Sequence, residues 1–557
     1  MKKIVTLLLL LFIIIPLSKG QMISWVKSGA GNEYLSVNNE VDMGYSVVSD
    51  DNFIYLSGVL TGDYAYIDGT YFDETYFEYN NFQFLSKFDK NGNLVWLREL
   101  PGMGKTKTVI DNEGYIYTVG RNFNSSHGFI VKYDSNGNLL TEKELISNAA
   151  YSRAYSVAIS SDNDVLISGY FSASVGEDIV IEDTTLQNLT SYKHAFVIKY
   201  DNTGGFSWIN ISDGGDFCVF SEVEVDSNDN LILCGYFQPF KDYNITIGDT
   251  SFYSVIHLSD DYPSQDILTV KYTSNGDFLW VKTMGGHQDD WGNDLTLDIS
   301  DNIYITGTFI DSARFENINV TSRGSYDIYL CKLSSVGKID WVKTIGGQYG
   351  YIYGVGYEAG RSIFSDNNDI YVSGSFIIRA TFGEGDNEIE VASSYGQKSG
   401  FIAKYSNTGE YKWVKYINSY KSTIRNIFVK ESDLYSAGNF FPNADMSNYT
   451  FNYQFPQTTN FFLLSIDLSL TGVANIDNNN IQLYPNPTSG RIYFKNKDKF
   501  INYPFKIYIT DVNGNILISE IINSEDEIDI SKLKSGIYFL KFSDGTNTYF
   551  QKIIKVN

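Results

Sequence analysis

The stretch LTVKYTSNGDFLW at residues 268–280 decides the fold, because its pattern returns throughout the chain. The pattern is an aromatic or apolar start, a Lys followed by an aromatic or apolar residue, a turn containing Gly, and a closing Trp. The other copies, of which the last is degenerate, are FLSKFDKNGNLVW (84–96), FIVKYDSNGNLL (129–140), FVIKYDNTGGFSW (196–208), YLCKLSSVGKIDW (329–341), FIAKYSNTGEYKW (401–413) and FLLSIDLSLTGVA (462–474). Self-similarity of this kind is typical of a repeat architecture.

A second motif, an apolar β-like run closed by glycine, alternates with the first. Its glycines are Gly58, Gly120, Gly169, Gly235, Gly307, Gly374 and Gly438. Around the two motifs, each repeat resolves into four strands joined by Asp-, Asn- and Gly-containing turns, which suit tight hairpins. The sequence therefore predicts an all-β fold, a seven-bladed β-propeller with four-stranded blades. The surplus length of most repeats falls between the second and third strands, where we expect loops on one face.

The two ends of the repeat region predict how the ring closes. The stretch ISWVKSGAG (23–31) matches the fourth-strand pattern LWVKTMGG (279–286), but no third strand precedes it. The seventh repeat has a third strand, whereas its fourth strand is short and lacks Trp. We therefore expect Ile23–Lys27 to insert as the outer strand of the seventh blade, which removes an open sheet edge.

The first twenty residues have the pattern of a signal peptide. Lys2 and Lys3 precede an apolar core at Ile4–Pro16, which is too short to span a bilayer, and Ser18 and Gly20 suit a cleavage site. We therefore assign 1–20 as signal peptide and 21–474 as propeller. No later stretch is apolar enough to cross a membrane, so we expect no transmembrane segment after cleavage.

The repeat resembles the bacterial beta-propeller repeat that occurs in many secreted proteins. The residues that recur are those that build the blade, so the resemblance implies a fold and an exported protein but no particular ligand.

The last eighty residues carry a separate set of motifs: LYPNPTSGRIYF (483–494), IYITDVNGNIL (507–517), IDISKLKSGIYFLKF (528–542) and KIIKV (552–556). Together they resemble the type A sorting domain of the type IX secretion system of Bacteroidetes. The resemblance implies a small C-terminal β-sandwich at 475–557 that the secretion machinery recognises, and a passenger that is secreted or held on the outer cell surface. It assigns the sorting motif to Pro485, Asn486, Pro487, Gly490, Asp511, Gly514, Gly536, Tyr538 and Lys552.

Charge divides unequally between these regions. The chain carries a net charge of -24, while residues 475–557 have ten basic and nine acidic residues. The body at 21–474 has 29 basic and 57 acidic residues, a net charge of -28. So acidic a surface repels nucleic acid and anionic lipid, and we expect neither as a partner.

Motifs for catalysis are scarce. The four histidines, His127, His194, His257 and His287, show no ligand spacing, and we take them as loop residues at unrelated blade positions. No nucleophile elbow, phosphate loop or dinucleotide fingerprint occurs in a suitable context, so no catalytic residue and no organic cofactor is predicted.

Two kinds of segment remain open as ligand sites. The turns DKNGN (89–93), DSNGN (134–138), DSNDN (226–230) and SDNND (365–369) are either hairpin turns or oxygen-rich calcium sites, and hairpin chemistry alone accounts for them. The loop GGHQDDWGND (285–294) gathers Asp289, Asp290, Trp291 and Asp294 as a candidate ligand loop, because carboxylates beside an aromatic ring suit a sugar or a cation.

Three functions fit these observations. The first is an exported binding or adhesion scaffold with an extracellular glycan or protein ligand. The second is a secreted glycan-active enzyme with carboxylates at the channel mouth. The third is a structural surface-layer component without a discrete ligand.

Overall fold

The structure is a computed structural model of the chain. It describes residues 22–31, 42–62, 64–72, 81–102, 104–122, 124–173, 178–182, 184–187, 193–213, 216–239, 245–248, 250–252, 264–347, 358–366, 368–393, 397–446, 449–452, 459–469, 482–495, 505–510, 516–522, 527–543 and 548–556. The signal-peptide prediction lies outside these residues. Two compact units are present, a propeller unit at Ile23–Ile466 and a C-terminal unit at Asp467–Asn557 with which Met1–Met22 is grouped.

Among the described residues, strands pair antiparallel into seven groups of four, named here blades 1 to 7 in chain order. Within each blade the strands follow one another from inner to outer, so that the first strand of each repeat lies next to those of neighbouring blades. The four strands of each blade are: blade 1, Met43–Ser49, Phe53–Thr61, Asn81–Asp89 and Leu94–Leu100; blade 2, Lys107–Ile110, Ile116–Arg121, Gly128–Tyr133 and Leu139–Leu145; blade 3, Tyr151–Ile159, Val165–Ser172, Lys193–Tyr200 and Phe206–Asp213; blade 4, Phe217–Val225, Leu231–Gln238, Asp266–Tyr272 and Phe278–Gly286; blade 5, Trp291–Leu297, Ile303–Phe315, Ile318–Leu333 and Ile339–Ile345; blade 6, Ala359–Ser365, Asp369–Ile377, Lys398–Ser406 and Tyr411–Tyr416; blade 7, Ser422–Lys430, Asp433–Phe440, Asn460–Asp467 and Met22–Gly31.

Blade 7 confirms the predicted closure. The N-terminal strand Met22–Gly31 lies beside Asn460–Asp467 as the outer strand of this blade. Blades 7 and 1 also meet at their inner strands, where Val47 N donates to Asn426 Oδ1 at 2.8 Å. The two ends of the repeat region are thus joined by backbone pairing, and the N-terminal strand supplies the long outer strand that the seventh repeat lacks.

The first sequence motif holds successive blades together. In blade 1, Lys87 Nζ donates to Ser135 O at 2.7 Å, and ring atoms of Trp96 lie 3.0 Å from where a Cβ on Gly137 would stand. Both contacts reach the turn between the third and outer strands of blade 2. The same packing of a Trp on the Gly turn of the next blade occurs for Trp25 on Gly92, Trp208 on Gly276, Trp280 on Gly337 and Trp341 on Gly409. The Lys and Trp of this motif therefore make contacts between neighbouring blades, in addition to marking each repeat in the sequence.

The inserts between second and third strands also join blades. They form short hairpins at Ala65–Ile67 with Thr70–Phe72, Ile179–Ile181 with Thr184–Leu186, Ile245–Ile247 with Thr250–Phe252, Arg379–Phe382 with Ile389–Ala392, and Asp445–Met446 with Tyr449–Thr450, while blade 5 extends its own two strands. Several pair with the outer strand of the preceding blade, as Ser212 does with Ile247 and Gly286 with Ala313. At Gly286 a Cβ would stand 1.8 Å from Ser312 O, so this approach requires glycine.

Helical structure is minimal. The one helix among the described residues is the three-residue 3-10 helix Gly385–Asn387 in the blade 6 insert. No helix in that part of the chain has the length and hydropathy needed to cross a membrane.

Ion pairs cross the channel that the inner strands surround. Lys107 of blade 2 lies 3.0 Å from Glu222 of blade 4 and 3.9 Å from Asp294 of blade 5, measured from Nζ to the nearest carboxylate oxygen. Asp294 also accepts a hydrogen bond from Ile363 N of blade 6 at 2.8 Å, and Ser156 of blade 3 donates to Glu222. Lys107, Glu222 and Asp294 are called the channel plug below, because together they bridge opposite sides of the ring.

The C-terminal unit consists of two small sheets. One contains Gln482–Tyr484, Arg491–Lys495 and Ile528–Asp529, and the other contains Ile516–Ile522, Phe505–Thr510, Gly536–Ser543 and Thr548–Lys555. Their shared core holds Leu483, Ile492, Ile507, Ile509, Ile528, Ile530, Tyr538, Leu540 and Ile553. The unit is the β-sandwich that the sequence predicts.

Replacing the plug lysine tests this account of the channel. We expect Lys107→Met to lower the free energy of unfolding by about 3–5 kcal/mol, because Glu222 and Asp294 stay buried without their cation. The measurement is urea unfolding followed by Trp fluorescence, which reports on the propeller unit because all seven Trp precede residue 414.

Lys412→Met is the matched control. Lys412 pairs with Glu410 at the surface, where both side chains are largely exposed. Loss of that pair is expected to cost at most about 1 kcal/mol. Equal unfolding free energies for the two variants would contradict a plug that stabilises the ring.

Candidate functional site

The inner strands of six blades share one irregularity. In blade 1, Gly44 pairs with Gly58 and Ser46 pairs with Ser57, so Tyr45 is an extra, unpaired residue. A β-bulge of this kind redirects a side chain out of the regular alternation of the strand. The residues at the same place in the other five blades are Tyr155, Ser221, Asn293, Arg361 and Arg425.

The glycine of the second sequence motif makes room for this bulge. A Cβ on Gly58 would stand 2.3 Å from Met43 O, and a Cβ on Gly307 would stand 1.8 Å from Trp291 O. The corresponding distances at Gly169, Gly235, Gly374 and Gly438 are 1.9–2.0 Å. No side chain fits there, so the repeated glycine is required by the inner strand that crosses it.

The six bulge residues meet in one cavity of about 300 Å³ at the end of the channel where the inner strands begin. Lys105 reaches it from blade 2, and Tyr236, Gln265 and Trp291 complete its wall. These ten residues are called the bulge mouth below. Sequence reasoning missed nearly all of these ten residues. A signal for the bulge residues was present in the sequence: a variable residue follows a small or apolar residue near the start of the inner strand. Examples are GYSVV (44–48), AYSVA (154–158) and GRSIF (360–364).

Contacts between blades fix several side chains of the bulge mouth. Trp291 Nε1 donates to Gln265 Oε1, and the Trp291 ring stacks on Tyr326 with centroids 5.8 Å apart. Asn293 Nδ2 donates to Gly360 O at 2.8 Å. The wall is thereby largely ordered before any ligand arrives, which lowers the entropic cost of binding.

Cations in the mouth lie against its aromatic rings. Lys105 Nζ is 5.5 Å from the centroid of Tyr155, and Arg425 Cζ is 5.8 Å from that of Tyr45. Burial lowers the pKa of Lys105, and the positive charges of Lys107 and Arg153 lower it further against the opposing effect of Glu222. The mouth thus joins aromatic faces to partly desolvated positive charge.

The predicted ligand loop is divided by the fold. Trp291 lies in the bulge mouth and Asp294 in the channel plug. Asp289 and Asp290 instead connect blades, since Asp289 Oδ1 accepts from Gln265 N at 3.0 Å and Asp290 Oδ1 accepts from Ile310 N at 3.0 Å. The four residues do not form one site, although they are adjacent in sequence.

Turn carboxylates are engaged by their own backbone. Asp89 Oδ1 accepts from Asn91 N at 2.9 Å and from Asn93 N at 2.8 Å, and Asp134, Asp226 and Asp366 accept equivalent bonds. Within the described ranges no three His, Cys, Asp or Glu side chains are grouped as metal ligands. Calcium at these turns stays an untested alternative to the hairpin interpretation.

The interpretation of the histidines is wrong in two respects: His127 and His194 are not at unrelated blade positions, and His194 lies in a strand, whereas His127 is the predicted loop residue. His127 and His194 each lie five residues before the motif lysine, Lys132 and Lys199, so they share a blade position. His194 lies fully buried in the third strand of blade 3, where Nδ1 is 2.9 Å from Ser212 O. Alignment of the two motif copies reveals the equivalence, because each His also lies two residues before the aromatic start, Phe129 or Phe196. His257 lies outside the described residues.

The sorting-motif residues that the structure describes surround the last strand. Asn486, between Pro485 and Pro487, donates through Nδ2 to Lys552 O and accepts from Ile554 N at 2.8 Å. Gly490 O accepts from Ile530 N at 2.7 Å, and Tyr538, two residues after Gly536, donates to Lys534 O at 2.7 Å. Asp511 and Gly514 lie outside the described residues. The Pro-rich turn is therefore tied to the terminal strand, where Lys552 is exposed.

Two family models match the chain. The model described as a secretion system C-terminal sorting domain matches residues 482–556, and the model described as a beta-propeller repeat matches residues 279–308. The chain is a β-propeller protein with a type IX sorting domain. Type IX secretion therefore exports this propeller to the cell surface or the medium.

Further similarities are distant. A WD repeat-containing protein of Acanthamoeba polyphaga mimivirus, L264, is 26% identical over 259 residues, which are 42% of this chain and 18% of that protein. The propeller thus spans under a fifth of that relative. Among solved structures, polysaccharide lyase Uly1 shares 9% identity at a TM-score of 0.37 (76% of this chain, 90% of the lyase), and Drosophila Plexin A in complex with Semaphorin 1b shares 9% at 0.32 (81% and 88%). At these TM-scores neither identifies a ligand or a reaction.

The buried Asp290 predicts a pH-dependent stability. Burial, together with the nearby charge of Asp266, raises the pKa of Asp290 to about 8 from an ordinary value of 3.8. The folded state thus keeps a proton that the unfolded chain releases, so this stabilisation is complete below pH 3.8 and is lost as pH rises towards 8. We expect Asp290→Asn to flatten the decline of unfolding free energy in this window by up to about 1.4 kcal/mol per pH unit.

Asp134→Asn is the control for that measurement by urea unfolding. Hydrogen bonds from Asn138 lower the pKa of Asp134, so this exposed turn residue titrates below the window and the slope should be unchanged. An unchanged slope for Asp290→Asn would show that this residue is ionised in the folded protein.

Asn486 offers a test of the C-terminal unit. We expect Asn486→Ala to reduce the fraction of protein that reaches the medium and the cell surface, because two hydrogen bonds to the terminal strand are lost, at about 1 kcal/mol each. The measurement is immunoblotting of medium, surface and periplasm in a host with type IX secretion. Ser489→Ala, at an exposed position in the same turn, is the control, and equal export of the two variants would refute the importance of this clamp.

Proposed function

We propose that the exported propeller is a binding module that holds a glycan at the bulge mouth. One observation supports this most strongly: six blades each place one extra inner-strand residue into the same cavity. Inner strands with regular pairing and no bulges would be enough to close the ring. A bulge repeated at equivalent positions and filled by different side chains is the pattern expected of a site built on a fixed scaffold.

The composition of the bulge mouth suits sugars. Tyr45, Tyr155 and Trp291 provide flat aromatic faces with polar edges, which pack on sugar rings. Ser221 and Gln265 add hydroxyl and amide groups that exchange hydrogen bonds with sugar hydroxyls. A concave site with a few placed polar groups is the usual form of a small-ligand site.

The same lining weighs against the other two candidate functions. Hydrolysis of a glycosidic bond ordinarily uses a pair of carboxylates, and none of the described lining residues is Asp or Glu. A component with no discrete ligand has no need of a cavity of about 300 Å³ lined from all seven blades.

A glycan array probed with the full-length secreted protein tests the proposal. We expect at least one glycan to bind without being cleaved, and we expect Tyr155→Ala to weaken that binding by roughly tenfold, since one well-placed aromatic face is worth about 1.4 kcal/mol. Affinity is measured by calorimetry and cleavage by product chromatography.

Tyr71→Ala is the control, because Tyr71 is an exposed tyrosine on the blade 1 insert and does not line the mouth. The proposal fails if no glycan binds, if Tyr155→Ala and Tyr71→Ala behave alike, or if a bound glycan is cleaved.

A further inference from the structure

The bulge mouth is positively charged, although the body of the chain is strongly negative. Its lining contains Lys105, Arg361 and Arg425 and, among the described residues, no carboxylate. The body carries a net charge of -28. The charge of the lining is therefore opposite in sign to that of the body around it.

Carboxylates below the mouth bind a different lysine. Glu222 and Asp294 lie in the channel plug, 3.0 and 3.9 Å from Lys107 Nζ. Arg361 and Arg425 belong to blades 6 and 7, whereas Lys107 approaches from blade 2. Lys107 therefore offsets one of the two negative charges of the plug, while the charged side chains that line the mouth above it are all basic.

A second group of basic side chains interacts with the two arginines. Lys398 begins the third strand of blade 6 and forms a β-bridge with Lys421. Burial, and then the charges of Arg361, Arg425 and Lys421, lower the pKa of Lys398 well below its ordinary value. An anion bound among these groups would stabilise their charged forms.

A row of tyrosines and arginines leads away from the mouth along blade 3, and one of its arginines, Arg121, comes from blade 2. Tyr155 belongs to the mouth, and its ring lies 5.8 Å from that of Tyr170, which in turn stacks 5.5 Å from Tyr151. Arg153 Cζ lies 4.9 Å from the Tyr155 centroid, and Arg121 Cζ lies 5.2 Å from that of Tyr151. These five residues are called the blade 3 row below.

Two donors in the blade 3 row are unsatisfied. The Nε–H groups of Arg121 and Arg153 are buried and donate to no acceptor in the part of the chain that the structure describes. Buried guanidinium donors without acceptors are unfavourable, and oxyanions such as carboxylate or phosphate match their planar geometry, as does the similarly shaped sulfate group. The row thus repeats, outside the cavity, the combination of aromatic faces and positive charge found within it.

From these observations, and resting on the proposed function, we infer that the bulge mouth and the blade 3 row bind an acidic polysaccharide, a chain of sugars that bear carboxylate or sulfate groups. The arginines pair with the anionic groups and the tyrosines pack on the sugar rings between them. The aromatic faces of the mouth and the row favour a chain of sugars over other anionic polymers. Single-stranded DNA, whose phosphates are also anionic, is therefore one of the outcomes of the test below.

Binding of defined polymers to the full-length secreted protein tests the inference. The probes are polygalacturonate, chondroitin sulfate and neutral dextran, measured by calorimetry at about 0.05 M and about 0.5 M NaCl, because screening weakens ionic contacts at the higher salt. We expect one or both acidic polymers to bind, dextran not to bind, and the affinity to fall by roughly tenfold or more at the higher salt.

Charge variants locate the site. We expect Arg361→Gln and Arg425→Gln each to weaken binding of the acidic polymer by roughly tenfold, because each removes a charge-assisted contact. Arg379→Gln is the matched control, since Arg379 is an exposed arginine on the blade 6 insert, paired with Glu390. Arg361→Lys keeps the charge, and Trp fluorescence in urea verifies that each variant is folded.

The outcomes separate this inference from the proposed function. Glycan binding that is insensitive to salt and to both glutamine variants, but is lost in Tyr155→Ala, would overturn the acidic class while the binding function stands. Binding of single-stranded DNA or polyglutamate in place of either polysaccharide would also overturn it. Failure of every glycan, neutral or acidic, would remove both proposals together.

Discussion

The close crossing of two backbones in each blade is the constraint on which the rest of the propeller depends. Where an inner strand bulges, its carbonyl comes so near the second strand that only glycine fits, as at Gly307 below Trp291 O. The glycine does not constrain the side chain at the bulge, because that side chain is directed away from the glycine and into the channel. Blade geometry and mouth chemistry are therefore set by different positions, so the mouth residue can differ from blade to blade without disturbing the fold.

Contacts between repeats then turn separate blades into one body. The motif Lys and Trp of one blade hold the Gly turn of the next, the insert hairpins pair with the preceding outer strand, and the plug joins blades 2, 4 and 5 across the axis. Each contact between neighbouring blades contributes little stability alone, but such contacts recur around the ring. Such a ring provides rigid positions for the mouth, which is what a site assembled from many strands requires.

Repetition explains why the fold was readable from the sequence and the site was not. Residue types that recur from repeat to repeat predict the strand pattern, the glycine turns and the closure by Ile23–Lys27. The C-terminal sandwich is also predicted from its motifs. The bulge residues have no common type, since Tyr45, Ser221 and Arg361 are equivalent only through strand register. Proximity in sequence also misled, because Asp290 and Trp291 are neighbours whose side chains serve a blade junction and the mouth respectively. Register and direction are properties of paired strands, and a single strand's sequence does not contain them.

The channel plug has a consequence for any polymer that the propeller holds. Lys107, Glu222 and Asp294 bridge the axis below the mouth. A bound polymer therefore cannot thread through the ring and must lie across the mouth. Both ends of the polymer then remain outside, and recognition acts on internal segments. The number of propellers that one polymer can hold grows with its length, so a long polymer at the cell surface would gather many copies of the exported protein, each bound through its bulge mouth.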